Sequence, residues 1–414
     1  MAHILRNKDF CLLWASGSVD NVSRWMDTIV MSWLVLQLTD SPFQVALLFV
    51  LRWLPMLFFA LFSGMIADRA NRWLVIAVAR GSYVLVTAIV LFLVIAGLVQ
   101  PWHIFLASLA LGWIYVLEFP SRRAMIYDLV GGGNIVGAMS LETISMTVGR
   151  FIGPLAGGLL IQFSGFTGAY VFLVVSYGVS WALIHLIKTR IPARAIPSRS
   201  FWRNLGEGVK YSLNNRVIRG VLGITLIMNA MAFSAESLFP VVAKDHLHVG
   251  AGLTGVLISA QAIGSLATAM VIVGLGAVRY HGRILCVGVT VQLLSLLLFA
   301  ISPWYPLSFV MMLLVGLGGA GFSTMQSTII LISATPEMRG TALGVLGQCI
   351  GVAALGGLMM GAVANFFDAQ VAIAVSALAG LLLLAPVVAL SPLVRQPISP
   401  PETDTQLRSG RTVS

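Results

Sequence analysis

Residues 42–72 read PFQVALLFVLRWLPMLFFALFSGMIADRANR. From 42 to 66 the only ionisable side chain is Arg52, and the run then meets the polar turn Asp68-Arg69-Ala70-Asn71-Arg72. At about 1.5 Å of rise per residue, such a run as a helix covers the roughly 30 Å hydrocarbon core of a bilayer. Comparable runs lie at roughly 10–38, 73–97, 102–127, 135–162, 167–188, 217–243, 250–277, 284–302, 304–332, 341–365 and 369–393, which makes twelve candidate spans. Composition agrees: 58% of residues are hydrophobic and 10% are charged, where a soluble domain carries about 25% charged residues. The reading is an all-α membrane protein.

The formal charge of +10 is a topological signal when sorted by loop. Eighteen lysines and arginines, from Arg6 and Lys8 to Arg408 and Arg411, fall at one set of loops and chain ends, and Lys244 stands alone in the alternate set. Basic loops stay cytoplasmic, so both termini are expected inside, in a bacterial inner (plasma) membrane crossed many times. That distribution also disfavours nucleic-acid binding. The first apolar segment contains Asp20, Arg24 and Asp27 and lacks the short apolar core of a cleavable signal peptide. Cys11, Cys286 and Cys349 show no CxxC spacing and read as small apolar packing residues.

The longest polar interruption, 189–216, contains Pro192 and Pro197. Within it Phe201, Leu205 and Val209 follow Ser200 at helical spacing, which fits a basic amphipathic helix on the cytoplasmic leaflet; a plain tether fits equally well. It divides the chain into an N-terminal six-helix bundle, 1–188, and a C-terminal one, 217–393, with 394–414 expected to be disordered. The halves resemble a diverged repeat. The turn after Gly64 is echoed after Gly274, 210 residues on; Gly153 and Gly158 by Gly356 and Gly361, and Asn134 and Gly137 by Glu337 and Gly340, each 203 residues on.

Two motifs carry more than topology. In Gly64-Met-Ile-Ala-Asp68-Arg69-Ala-Asn71-Arg72, Gly64 permits close helix packing and Asp68 suits a helix N-terminus. Arg69 and Arg72 can pair with carboxylates of the other half, so the cluster reads as a conformational gate; a tight turn with topology-setting charges would also explain the arginines. In span five, Gly149, Gly153 and Gly157 form a smooth stripe, beside Pro154 and Gly158. A closely packed, bendable helix of this kind suits a rocking interface, and a static packing face is the alternative.

On these residues the chain resembles the major facilitator superfamily. Gly64, Asp68, Arg69 and Arg72 match that family's signature loop, and Gly149-Arg-Phe-Ile-Gly153-Pro154-Leu-Ala-Gly157-Gly158 matches the glycine-proline motif of its antiporters. The tryptophans of span one, Ser41-Pro42 and Arg52-Trp-Leu-Pro55 look most like the branch of macrolide, multidrug and siderophore exporters. The resemblance implies two six-helix bundles around a central cavity and transport by alternating access. Two positions depart from it: Ala110-Leu111-Gly112-Trp113 lacks the family's buried arginine before Pro120, and Val278 stands where the second signature loop has its Asp. The family's usual route of proton coupling is not carried there.

Each Asp, Lys or Arg near mid-bilayer costs about 2.5–3.5 kcal/mol on insertion scales, so such groups pair or face water. Asp20, Arg24 and Asp27 share one face of span one. Arg24 can reach either carboxylate, giving either an internal ion-pair ladder or a spare carboxylate for a cation or proton. Arg52 sits mid-span, one turn before Pro55. Glu142 and Arg150 share a face of span five. Glu118 and Glu236 have no partner within their own helices and read as proton sites, with snorkelling to water the alternative for Glu236. Arg122 and Arg123 read as interfacial anchors. His246 and His248 offer only two ligands, so no metal site is expected.

Abundant Trp, Phe and Met with few polar span residues favour a bulky amphipathic or hydrophobic small-molecule substrate. The leading expectation is a secondary exporter driven by protons or another coupling ion, working as a monomer in the lipid bilayer. Asp20, Arg24, Asp27, Arg52, Glu118, Glu142, Arg150 and Glu236 would be its cavity or coupling residues. The second expectation keeps the fold and moves a charged solute, a metal chelate or organic anion, on Arg24, Arg52 and Arg150. The third is a non-transporting sensor or assembly partner. No P-loop, HExxH or GxSxG pattern occurs, so neither an enzyme nor an ATP-driven pump is expected, and no cofactor.

Overall fold

The structure is a computed structural model that describes residues 6–131, 134–189, 201–274, 280–335, 338–391 and 393–394. Among them the long elements are all helices: α1 (Lys8–Thr39), α2 (Pro42–Arg69), α3 (Arg72–Ile95), α4 (Pro101–Val130) and α5 (Ile135–His185), then α6 (Phe201–Asn214) to α14 (Ala369–Leu390). Local chemistry sets their ends. Asn7 accepts the free N–H groups of Asp9 and Phe10 at 3.1 and 3.2 Å, and Asn71 accepts that of Leu74 at 3.3 Å. Asp40 closes α1 in the left-handed region at φ 49°, its N–H returning to the Leu36 carbonyl.

Ten described helical stretches are long and apolar enough to cross a membrane. One of them, Gly137–His185, has 49 residues, about twice a bilayer's worth at the helical rise. It turns at Gly165 (φ 67°, ψ −173°), a backbone that only glycine adopts freely, and supplies two spans. The 32-residue α1, loaded with Asp20, Arg24 and Asp27, is the twelfth. The amphipathic segment is helical as α6, with Val209 on its exposed side; the side chains of Phe201 and Leu205 and all of Ser200 lie outside the described residues.

The seventh span is not one helix. It runs as α7 (Arg216–Ile227), a π-helical turn Met228–Phe233, a 3₁₀ turn Ser234–Leu238 and α8 (Phe239–Asp245). Pro240, in the first turn of α8, cannot donate to the preceding turn, and Glu236 sits in this break. The eleventh span is likewise divided into α12 (Arg339–Gly351) and α13 (Ala353–Phe366).

The halves pack as two six-helix bundles, with α5 against α9 (Ala251–Gly274) and α2 against α12 and α13 across the middle. Glycines make the close approaches. A methyl on Gly149, Gly153 or Gly157 would lie 2.6–2.7 Å from Asn21, Trp25 or Ile29 of α1. The stripe therefore packs on α1 within the first bundle and does not itself meet the second bundle. The contact between bundles falls on the next face. Gly158 lies against the backbone of Ala251 and Gly255, and Gly255 against the Pro154 carbonyl, both pairs crossing between bundles.

The repeat of 203 residues is physical. Gly356 lies against Ala230 of the first span of its own bundle, as Gly153 does against Trp25. Gly361 lies against Ala46 and Phe43 of the opposite bundle, as Gly158 does against α9. The other echoes, at 275–279 and at Glu337, lie outside the described residues, as does the tail from 395; Gly340 falls in the first turn of α12.

Candidate functional site

Between the bundles lies a cavity of about 230 Å³. The first bundle lines it with Arg24, Trp25, Phe49, Arg52, Trp53, Tyr115 and Arg150, the second with Glu236, Phe239, Ile258 and Gln261. At the end away from the termini the bundles approach backbone to backbone at Gly158 and Gly255, and Lys244 bridges to Asp40 across the bundles in a half-exposed ion pair. His246 pairs with Asp368 at the same end, 2.7 Å apart; no group of three metal-ligating side chains occurs among the described residues.

The charges inside the membrane pair between helices, not along them. Arg52 Nη1 holds Asp27 Oδ2 at 2.9 Å. Arg80 of α3, fully buried, binds Asp20 and places Nη2 2.6 Å from Glu118 Oε1. Arg122 binds Glu142. Arg150 Nη2 meets Glu236 Oε1 at 2.6 Å and Gln261 Oε1 at 3.1 Å, with its guanidinium over the Trp25 ring. Each replaced hydration shell is thereby answered by a counter-charge.

Several expectations change accordingly. The ladder within span one does not form, because Asp20 and Asp27 face arginines of α3 and α2. Arg24 instead donates to the Asn21 side-chain oxygen at 2.6 Å and stacks over Tyr115 at 4.4 Å. Glu118 and Glu236 are not unpartnered, and Glu236 does not snorkel away from its arginine. Glu142 and Arg150, on one helix, take different partners. Arg122 is no interfacial anchor but a buried ion-pair member, while Arg123 is exposed and stacks on Phe119. Arg72 pairs with Asp128 of its own bundle; the side chains of Asp68 and Arg69, and the surroundings of Gly64, lie outside the described residues.

Arg80 was missing from the sequence reading altogether. An arginine within the apolar run 73–97 was the available signal, since a fully buried guanidinium there needs counter-charges, which Asp20 and Glu118 supply. Counted together, the five carboxylates Asp20, Asp27, Glu118, Glu142 and Glu236 are matched in number by the five arginines 24, 52, 80, 122 and 150, of which all but Arg24 contact one of them. The sum is zero, but not locally. Asp20, Arg80 and Glu118 together carry one negative charge, and Arg24, one turn from Asp20, carries the compensating positive charge without a carboxylate in contact.

Comparison with known proteins fits this geometry. A family profile described as transmembrane secretion effector matches residues 2–404. The enterobactin exporter EntS of Shigella boydii serotype 18 is 27% identical over 330 residues, 78% of each chain, and that of Escherichia coli strain SMS-3-5 matches equally. Among solved structures, the nucleoside transporter NupG has a TM-score of 0.73 at 18% identity over 92% of this chain and 98% of its own. A POT family transporter bound to a thioalcohol-conjugated peptide has a TM-score of 0.77 at 9% identity over 94% and 96%. At those identities the two structures speak for the fold alone.

Proposed function

Because this chain belongs to the family of transmembrane secretion effectors, within the major facilitator superfamily, we propose that it exports amphipathic small molecules in exchange for protons by rocking its two bundles. The observation that carries this is the Arg150–Glu236 pair, which joins the bundles through the wall of the cavity at the broken seventh span. The loop charges support cytoplasmic termini in an inner membrane, so the end where Gly158 meets Gly255 faces outward and the cavity loads from inside. Residues 1–188 and 217–393 are the rocking units, 189–216 the tether, and one copy suffices because the cavity is complete within the chain. The role is transport, with no catalytic step assigned.

The coupling logic follows from charge. A proton on Glu236 removes the negative member of the bridge, weakens its hold on Arg150 and lets the bundles part at this level. Loss of that proton to the inside regenerates the carboxylate and restores the bridge. Asp27 with Arg52 and the excess carboxylate of Asp20, Arg80 and Glu118 are the further proton sites. Trp25, Phe49, Trp53 and Tyr115 supply the apolar and aromatic wall that an amphipathic substrate needs. Export by the enterobactin-exporting relatives supports the direction.

The second reading, a substrate bearing an anionic group, has Arg24 in its favour, since the partners of that guanidinium, Asn21 and Tyr115, are neutral; Arg52 and Arg150 are already answered by carboxylates. The test of the main reading is efflux from proteoliposomes under a pH gradient. D27N and E236Q should each abolish driven efflux while leaving solute counterflow, and unchanged driven flux in both would sink the assignment.

A further inference from the structure

The polar face of α1 does not end at the cavity. Ser16, Asp20, Ser23 and Asp27 are all fully buried and recur at steps of four, three and four residues, so they form one stripe. The stripe packs on the second half of α5, where Ser16 and Ser180 hydroxyls meet at 2.9 Å and Ser23 donates to Ser176 at 2.8 Å. Tyr177 lies one residue beyond Ser176, and Tyr83 of α3 stacks on it with ring centroids 5.2 Å apart and planes 10° from parallel. Tyr83, Tyr170 and Tyr177 are fully buried, and none of their hydroxyls has a hydrogen-bond partner, nor does Asp27 Oδ1.

A dry core would not keep four such groups together, since each buried unmade hydrogen bond costs about 1–3 kcal/mol. Buried polar groups at this density are the places where bridging water sits, with several partners to each molecule. The hydroxyls lie among the buried charges: Tyr170 within electrostatic reach of Asp27 and Arg52, Tyr177 of Asp27, Asp20 and Arg52, and Tyr83 of Asp20, Glu118, Arg24 and Arg80. Arg80, Arg24 and Arg122 are the cations facing the far end of this strip.

We propose that this strip is a hydrated proton path behind the cavity, running from Asp27 through the hydroxyls of Tyr177 and Tyr83 to the Asp20–Arg80–Glu118 cluster. It rests on the proton-exchange reading and gives it a route separate from the substrate. A proton on Asp27 passes to an adjacent hydroxyl oxygen as that hydroxyl releases its own proton onward. Only O–H bonds form and break, each tyrosine ends as it began, and one proton reaches the cluster with the excess negative charge. Substrate in the cavity then need not exclude protons from the first bundle.

The test needs no solute, so its failure stands apart from a failure of driven efflux. Full-length protein in lipid is subjected to a rapid pH drop, and the protonated-carboxyl infrared band is followed in time. The band should be present in the wild type and reduced in D20N and E118Q. In Y83F/Y177F it should rise to the same amplitude about tenfold more slowly, as an added barrier on the path requires. Losing only hydroxyls keeps the ring stack; should the double variant not purify, Y177F alone must show the slowing. No band in the wild type, or equal rates with and without the hydroxyls, overturns the path.

Discussion

Replacing Arg80 by Gln is the sharpest perturbation of the first bundle. It takes the Asp20–Arg80–Glu118 cluster from a net charge of −1 to −2, with Asp20 and Glu118 side chains only 1% and 3% exposed. Breaking a buried pair by removing one partner costs about 3–5 kcal/mol, because the remaining charge is left unanswered. For a large chain, about 2 °C of melting temperature per kcal/mol gives a fall of about 6–10 °C. Thermal unfolding of the purified protein in detergent measures it. The physical cause is distinguished by the neutral triple variant D20N/R80Q/E118Q, which has no charge to strand and should recover most of the loss. A melting point for R80Q within about 2 °C of wild type, or no recovery in the triple variant, would refute the argument from stranded charge.

Gly158→Leu places a side chain where the Ala251 and Gly255 backbone now lies, so the outer end should be held apart; a cysteine at Ser32 should then label faster with a membrane-impermeant thiol reagent added outside, and unchanged labelling would contradict the proposed closure. Outside the spans, slight burial pushes the Asp9 carboxyl up, but hydrogen bonds from the Thr189 hydroxyl and the Thr189 and Lys188 backbone N–H groups, with the Lys188 charge, hold it below the usual carboxylate range. A lowered folded value means stability that is present above the unfolded value of about 3.9 and disappears as pH falls through the folded one. D9N should therefore cost up to about 1 kcal/mol in melts near neutral pH, as a largely exposed contact does, and nothing at strongly acid pH.

What the sequence made legible was whatever a single helix records. Apolar runs located every span, including α1 with its three charges, and glycines 203 residues apart located equivalent contacts in the two bundles. Partners recorded on different helices were not legible. Asp27 and Arg52 are 25 residues apart, Arg122 and Glu142 are 20, and Arg150 and Glu236 are 86. Spacing along α1 offered Arg24 as the nearest cation, and only the packing of α3 and α2 shows why it is not the partner. The glycine stripe was read correctly as close packing, but a stripe does not say which neighbour it faces. The π and 3₁₀ break around Glu236 left one trace, Pro240, because a break of this kind depends on neighbouring helices donating to its freed carbonyls, as the Ser376 hydroxyl does to Met231 at 2.8 Å.

The wiring of these ion pairs also imposes an order on synthesis. Span one leaves the ribosome with two carboxylates and one guanidinium, each costing about 2.5–3.5 kcal/mol in lipid, while the cations that answer Asp27 and Asp20 arrive with the second and third spans. Until Arg80 emerges, the earliest helix is the one least able to dwell alone among acyl chains. The first three spans must therefore enter the bilayer as a group, and nascent chains cut short before residue 80 should be easier to strip from the membrane than those cut just after it.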